Sequence, residues 1–162
     1  MQCVFHNGKE VEMTGKTVQQ IHLNERASFS KTITESDIYQ YAGITGDFNP
    51  AHVNEIFARQ TLFKTRVAHG MLSAGLISTV LGMQLPGPGA IYLEQHLVFK
   101  APVRIGDTVT AEVRVIEIDA VKNRVRLETI CTNQEGTVVL NGEALVMPPR
   151  GKTQMPMDRT AS

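Results

Sequence analysis

The feature that most constrains the fold of this 162-residue chain is an apolar segment at residues 69–82. Leu72, Leu76, Val80 and Leu81 recur there at helical spacing, and small or apolar residues occupy nearly every other position. A helix that is apolar on all sides is buried in a core rather than lying on a surface. The segment is also shorter than the ~20 residues that a helix needs to span a bilayer. It therefore predicts a helix in the middle of a small domain.

After this segment the hydrophobic pattern changes to a period of two, which is typical of β-strands. Glycines and prolines at residues 82–89 separate the two patterns, and the strands are predicted at residues 91–100, 107–117, 124–132 and 137–146. Such alternation indicates an antiparallel sheet with one buried face and one solvated face. A sheet that curls around one buried helix satisfies both patterns, so an α+β domain is predicted.

Two shorter helices are expected before the apolar segment. Thr34, followed by Asp37 at the third position, is a variant of the capping box that begins a helix. Turn-forming residues at 43–50 end this first helix, and a second is expected around residues 54–60. Its apolar side chains are expected to face inward: Ile56, Phe57 and Leu62.

One domain is predicted at residues 28–148, because 162 residues suffice for one core but not comfortably for two. Residues 1–27 are polar with weak periodicity and are expected to form a poorly defined N-terminal extension. Residues 149–162 are rich in Pro, Lys, Thr and Met and are expected to form a flexible tail.

The composition limits the functional class. Sixteen basic and 16 acidic residues balance and are scattered along the chain, so the basic stripe of a nucleic-acid-binding surface is missing. Cys3 and Cys131 fit neither a metal spacing nor a disulfide framework, and Cys131 is expected to be a reduced core residue. No secretory leader and no bilayer-spanning run is recognisable, which predicts a cytoplasmic protein without a membrane partner.

Residues 41–52 carry the strongest chemical signal. Asp47 stands five residues before His52, across a turn that contains Asn49 and Pro50. A carboxylate and an imidazole that share one water molecule can hold it, remove a proton and pass a proton onward. Asp47 and His52 are therefore the candidate catalytic pair, with Asn49 orienting the water or the pair. Taken singly, Asp47 also suits a turn and His52 a helix start or a surface position.

Gly70, at the start of the predicted central helix, is the second candidate. Unpaired N–H groups at a helix start favour negative charge, and a glycine lets a ligand approach the backbone closely. The N–H of Gly70 is therefore expected to stabilise an oxyanion; alternatively, Gly70 only permits the turn into the helix. His69 is expected to cap the helix or to hydrogen-bond a neighbouring loop, without a catalytic role.

The order Gly-Asp-x-Asn-Pro-x-His at residues 46–52 resembles the signature of the MaoC-like hydratases, also called (R)-specific enoyl-CoA hydratases or hydratase 2. The His-Gly-Met helix start is similar to that of the same family, and the resemblance extends from Phe29 to Pro148. It implies a hot-dog fold and the reversible hydration of trans-2-enoyl-CoA to (3R)-3-hydroxyacyl-CoA. It also implies a homodimer or a dimer of dimers, and a supporting active-site role for Ser78. The alternative for Ser78 is a hydrogen bond within its own helix.

No cofactor is expected, because CoA is part of the substrate. No metal is expected either, since Asp47, His52 and His69 lack the short paired spacings of zinc ligands. Four residues are candidate contacts for the CoA phosphates: Lys64, Arg66, Lys100 and Arg104.

Three alternative functions stay open at this point. An acyl-CoA thioesterase and a non-catalytic acyl-CoA-binding protein are both compatible with the same fold. In a third alternative the hydratase acts on a branched or dicarboxylic enoyl-CoA, and Arg66 or Arg104 meets the distal carboxylate.

Overall fold

The computed structural model describes residues 4–6, 9–11 and 14–151, with side chains described for residues 14–151. Parts of the expected N-terminal extension and residues 152–162 of the expected tail lie outside the described residues. Two short strands, β1 (Val4–His6) and β2 (Lys9–Val11), pair antiparallel. A 3-10 helix at Val18–Gln20 follows them.

The main sheet has five strands, in the order β3-β5-β6-β7-β4, and each neighbouring pair is antiparallel. The four strands after the central helix agree with the predicted ranges to within two residues at each end. The first strand was not predicted, because only Ala27 and Phe29 give its inner face an apolar character. The strands are β3 (Arg26–Thr32), β4 (Ile91–Phe99), β5 (Thr108–Asp119), β6 (Arg124–Thr132) and β7 (Val138–Met147).

Four α-helices complete the domain: α1 (Glu35–Thr45), α2 (Pro50–Val53), α3 (Glu55–Ala58) and α4 (Gly70–Met83). The predicted capping box begins α1, since Thr34 Oγ1 accepts from the Asp37 N–H at 3.2 Å and Asp37 Oδ2 accepts from the Thr34 N–H at 2.8 Å. Gly46 ends α1 in the left-handed conformation at φ 79°, which favours glycine. None of the helices in the described part of the chain is long and apolar enough to cross a membrane.

The centre of the domain is the contact between α4 and the sheet. α4 packs against β3, β4, β5 and β6, and Ile77 and Val80 of α4 are fully buried among valines of β5 and leucines of β6 and β7. A five-stranded antiparallel sheet around one long helix is the hot-dog arrangement, so the predicted α+β fold is confirmed.

Two predictions of burial are wrong in detail. α4 is not covered on every side, because Met71, Gly75 and Ser78 line an exposed strip of it. The inward placement of three side chains in and after α3 is also wrong, since Ile56, Phe57 and Leu62 are all exposed. α3 is a single turn, and only its small residue Ala58 is buried.

The packed unit begins before residue 28, the boundary expected from the sequence. Val18 and Ile21 are buried members of the core. Ahead of them, the N–H of Gly15 donates to Pro88 O at 2.8 Å and the N–H of Lys16 donates to Pro86 O at 2.7 Å. Residues 14–25 are therefore tied to the domain by both apolar burial and backbone hydrogen bonds.

Cys131 is a free cysteine that is fully buried in the core. Burial raises the pKa of its thiol to about 12. A thiol that stays protonated in apolar surroundings is inert, so Cys131 is a packing residue, as the sequence predicts.

Gly142 of β7 provides a test of the sheet. It pairs with Leu97 of the edge strand β4, and a Cβ atom at this position would lie 1.8 Å from the backbone oxygen of His96. We expect Gly142→Ala to lower the free energy of unfolding by about 3 kcal/mol, because the β4 backbone would have to move. Urea denaturation measures this.

Gly43→Ala is the matched control. A Cβ atom there would meet nothing within 4 Å, and Gly43 lies inside α1, where alanine is favoured over glycine by about 1 kcal/mol. We expect this second variant to be slightly more stable than the wild type. A shift of the same sign and size in both variants would contradict the strand packing described above.

Candidate functional site

The loop between α1 and α2 carries Asp47 and Asn49. Asp47 Oδ1 accepts from the Asn49 N–H at 3.2 Å, and Asn49 Oδ1 caps α2 by accepting from the Ala51 N–H at 3.1 Å. These bonds are the turn and cap interactions common for Asp and Asn. They leave the Asp47 carboxylate half-exposed, with a side-chain exposure of 51%.

His52 lies in α2 and is partly buried. Its Nδ1 atom lies 2.8 Å from the carbonyl oxygen of Val67. A carbonyl oxygen only accepts, so Nδ1 carries the proton, and in the neutral ring Nε2 has the lone pair. The backbone therefore selects the tautomer in which Nε2 of His52 is the basic atom.

Asp47, His52 and His69 form one cluster, in which one ligand atom of each lies within 4.8 Å of the others. The sequence-predicted pair is thus brought together, and His69 joins it. Nε2 of His69 lies 2.9 Å from the Asp47 carbonyl oxygen and 4.0 Å from its carboxylate. The expected hydrogen bond from His69 to a neighbouring loop is confirmed, whereas its side chain does not cap α4.

A cavity of about 640 Å³ opens beside this cluster. Asn49, His52 and Gly70 are among its lining residues, and the lining formed by the described residues does not include Asp47. Its walls are otherwise largely apolar, with contributions from Phe63, Val67, Phe99, Val103, Val139 and Leu140. The volume and the apolar walls with a few polar groups are typical of small-molecule sites.

Gly70 begins α4 at the edge of this cavity. As the first residue of the helix, it has an N–H without an acceptor in the preceding turn. A Cβ atom on Gly70 would lie 2.7 Å from Cε1 of Phe99, so glycine is what lets the Phe99 ring close this side of the cavity. His52 and Gly70 therefore line one apolar space, and the Asp47 carboxylate lies in the same cluster as His52. Together these groups can activate a water molecule and stabilise a negatively charged oxygen.

A family model described as "MaoC like domain" matches residues 15–136. This chain belongs to the MaoC-like family. The match begins ahead of Val18 and Ile21, the two residues that join the core before the boundary expected at residue 28.

Individual relatives support the same assignment. The chain is 60% identical over 131 residues to an "(R)-specific enoyl-CoA hydratase" of Rhodospirillum rubrum, which covers 81% of this chain and 90% of the relative. It is 51% identical to a "3-hydroxybutyryl-CoA dehydratase" of Methylorubrum extorquens, over 78% of this chain and 80% of the relative. Among solved structures, the R-hydratase PhaJ1 of Pseudomonas aeruginosa is 41% identical, with a TM-score of 0.81 over 86% of this chain and 89% of that one.

The structure of this MaoC-like domain does not bring Ser78 to the cavity. Ser78 lies on the exposed strip of α4, in a separate groove that Met71 and Tyr92 also line. Ser73 is instead the serine of α4 that lines the cavity; it is buried, and its Oγ has no hydrogen-bond partner among the described residues. Ser73 could have been identified from the sequence, because it stands three residues after Gly70 and therefore lies on the same side of the helix.

Arg66 is engaged within the protein rather than free for a ligand phosphate. Its guanidinium lies 2.6 Å from a carboxylate oxygen of Glu35 and 3.5 Å from one of Glu55, and it donates to the Tyr39 hydroxyl at 3.0 Å. The backbone N–H of Arg66 also bonds Glu55 and holds the pKa of that carboxyl below its usual value. Arg66 thus joins α1 to α3, the helices that precede and follow the segment with Asp47 and His52.

The other three candidate cations lie around the cavity. Lys100 lines it, and Arg104 Nη1 donates to the carbonyl of Phe63, another lining residue, at 3.4 Å. Lys64 follows Phe63 directly and is exposed. These three positions are compatible with an anionic group at the rim.

The cluster of Asp47, His52 and His69 has a geometry that would admit a metal ion. Nδ1 of His52 and Nε2 of His69 each bond a backbone carbonyl, so a ligand lone pair could come only from Nε2 of His52 and Nδ1 of His69. The expectation of a metal-free site therefore stays a prediction, as does the absence of a cofactor.

The role of Arg66 can be tested by stability. We expect Arg66→Met to lower the midpoint of thermal unfolding by about 3–6 °C, because it leaves Glu35 and Glu55 without their shared partner. Arg59→Met is the control, since Arg59 also pairs with Glu55 but from an exposed position, where ion pairs contribute little. Equal midpoints for the two variants would mean that Arg66 does not hold α1 and α3 together.

Proposed function

We propose that this chain catalyses the reversible hydration of trans-2-enoyl-CoA to (3R)-3-hydroxyacyl-CoA. The observation that carries the proposal is the placement of His52, whose basic nitrogen is Nε2: the residue shares a cluster with the Asp47 carboxylate and lines an apolar cavity that Gly70 also lines. Relatives of 60% and 51% identity that are named as an enoyl-CoA hydratase and a 3-hydroxybutyryl-CoA dehydratase support the same reaction, since hydration and dehydration are its two directions.

The proton transfers follow from the tautomer of His52. Water adds its oxygen to C3 of the enoyl thioester, and Nε2 of His52 takes one of its protons, because Nδ1 is committed to Val67 O. The Asp47–His52 pair returns one proton to C2. The pair therefore ends the turnover in its starting protonation state.

Negative charge develops on the thioester oxygen as water adds. The N–H of Gly70 stabilises this charge, and one preorganised donor of this kind contributes about 3 kcal/mol to the transition state. Asn49 orients the water with its amide N–H groups, because its Oδ1 is already occupied by the Ala51 N–H. The (3R) configuration rests on the family and on the relatives' names rather than on a particular residue.

The rest of the substrate follows from the cavity. The apolar walls suit the acyl chain, and Lys64, Lys100 and Arg104 around the rim attract the CoA phosphates. Arg66 is excluded from this set, since it already pairs with Glu35 and Glu55. Because of the same ion pairs, Arg66 cannot bind the distal carboxylate of a dicarboxylic acyl group. Arg104 is then the candidate partner of that carboxylate.

The chemical role of the pair can be tested with crotonyl-CoA. We expect wild-type protein to consume the conjugated thioester and to form (3R)-3-hydroxybutyryl-CoA. Asp47→Asn and His52→Asn should each lower kcat by about 10²–10⁴-fold. His52→Asn keeps an N–H donor for the carbonyl oxygen of Val67 near the position of Nδ1, but it removes the basic Nε2 atom.

His22→Gln is the control for these two variants, because His22 is exposed and lies outside the cavity lining. Release of free CoA thiol by the wild type would favour a thioesterase. Saturable binding of crotonyl-CoA without turnover would favour a non-catalytic acyl-CoA-binding protein. Wild-type rates in both Asp47→Asn and His52→Asn would exclude the proposed pair.

The protein is proposed to act as a homodimer that pairs through β4. Strand β4 is one edge of the sheet, and its apolar residues Ile91, Leu93 and Phe99 are exposed. The opposite edge, β3, presents polar residues outward. An exposed apolar edge is prone to pair with another chain, and the uncovered strip of α4 borders the same groove as β4.

Light scattering tests this assembly. We expect the wild type to have the mass of a dimer or of a dimer of dimers, and Leu93→Glu to shift it toward the monomer, because a charge would be buried at the interface. Ser28→Glu adds the same charge to the polar edge β3 and should leave the mass unchanged. A monomeric wild type, or dissociation only in Ser28→Glu, would contradict pairing through β4.

A further inference from the structure

His69 has a side chain that is buried but not used by its own helix. It is 2% exposed and occupies the residue before Gly70, where a side chain often caps the helix. No such cap bond forms. The buried polar ring of His69 therefore makes its contacts outside its own helix.

The first contact fixes the Asp47 loop. Nε2 of His69 lies 2.9 Å from the carbonyl oxygen of Asp47, and because a carbonyl only accepts, Nε2 carries the proton. Nδ1 is buried without a hydrogen-bond partner among the described residues. Among the described residues, the hydrogen bond of the His69 ring is therefore the one to the Asp47 loop.

The second contact fixes the ring of His52. The two imidazole centroids are 3.9 Å apart with an interplanar angle of 33°. On its edge, His52 is held by Val67 O through Nδ1, and His69 supports its face.

The His69 ring has titratable neighbours on the surrounding elements. Tyr41 packs on it with ring centroids 4.8 Å apart, and the Asp47 carboxylate lies 4.0 Å from Nε2. His52 lies against the same ring. One buried ring thus contacts both members of the proposed pair and directly precedes Gly70.

We infer that His69 is a positioning residue: its Nε2–H fixes the Asp47 loop and its ring face fixes His52, so that both act on the same water molecule. The inference rests on the proposed hydratase function, in which Asp47 and His52 are the groups that move protons. Misplacement of reacting groups by about 1 Å costs on the order of 10²-fold in rate. The position of His69 therefore predicts a loss in kcat rather than in substrate binding.

Three substitutions separate its two contacts. His69→Gln keeps an N–H donor close to the Nε2 position but loses the ring, and His69→Phe keeps a ring but loses the donor. His69→Ala loses both. We expect kcat for crotonyl-CoA to fall about 5-fold in the Gln variant, about 30-fold in the Phe variant and about 100-fold in the Ala variant, with KM changed less than about 3-fold.

Nitrogen NMR of the imidazoles gives a readout that fold stability alone would not move. We expect His52 to be the Nδ1–H tautomer in the wild type and in His69→Phe, which keeps a ring against His52, and to become a mixture of tautomers in His69→Gln and His69→Ala, which do not. Thermal unfolding checks that each variant is folded, and His22→Gln is again the matched control. If the Ala variant does not fold, the Gln and Phe variants decide the question.

The outcomes distinguish this inference from the proposed function. Wild-type kcat in His69→Phe, or a rise in KM at unchanged kcat in any variant, overturns the positioning role. An unaltered His52 tautomer in both the Gln and Ala variants also overturns it. A wild-type protein that does not hydrate crotonyl-CoA contradicts the proposed function instead, while the tautomer measurement still tests whether His69 holds His52.

Discussion

The packing of α4 against the sheet is the interaction on which the rest of this structure depends. Its inner side carries Ile77 and Val80, which are fully buried, and full burial of each such side chain contributes about 1.5–3 kcal/mol. One helix has to be covered by one sheet, so the strands must wrap around it. The wrapping in turn fixes where α4 begins, and that beginning is the position of Gly70, at the edge of the cavity.

The site is assembled from backbone groups as much as from side chains. Val67 O sets the tautomer of His52, and Asp47 O accepts a hydrogen bond from the Nε2–H of His69. Gly70, at the start of α4, lines the cavity beside them. Backbone atoms are held by the fold and do not reorganise during a reaction, which is the condition for strong electrostatic stabilisation. Arg66 adds rigidity from outside, since it ties α1 to α3 around the loop.

Local patterns predicted much of this architecture. The apolar run at residues 69–82, the alternation in four strands and the capping box at Thr34 are all properties of contiguous sequence, and each was found close to its predicted place. The errors concern contacts made across the fold. Side-chain type alone did not distinguish the exposed Ser78 from the buried Ser73, or the paired Arg66 from the cations at the rim. His69 belongs to the cluster through a hydrogen bond to Asp47, which lies 22 residues earlier in the chain.

Phe99 connects the open edge of the sheet to the chemistry. Its ring closes the side of the cavity next to Gly70, yet 52% of the residue is exposed because β4 is an edge strand. A charged transition state is stabilised more strongly where water is excluded and the effective dielectric constant is low. Covering β4 would therefore do more than bury apolar surface, since the same event would shield the cavity wall beside the Gly70 N–H. A cover over β4 is in this way coupled to the site through one side chain, that of Phe99.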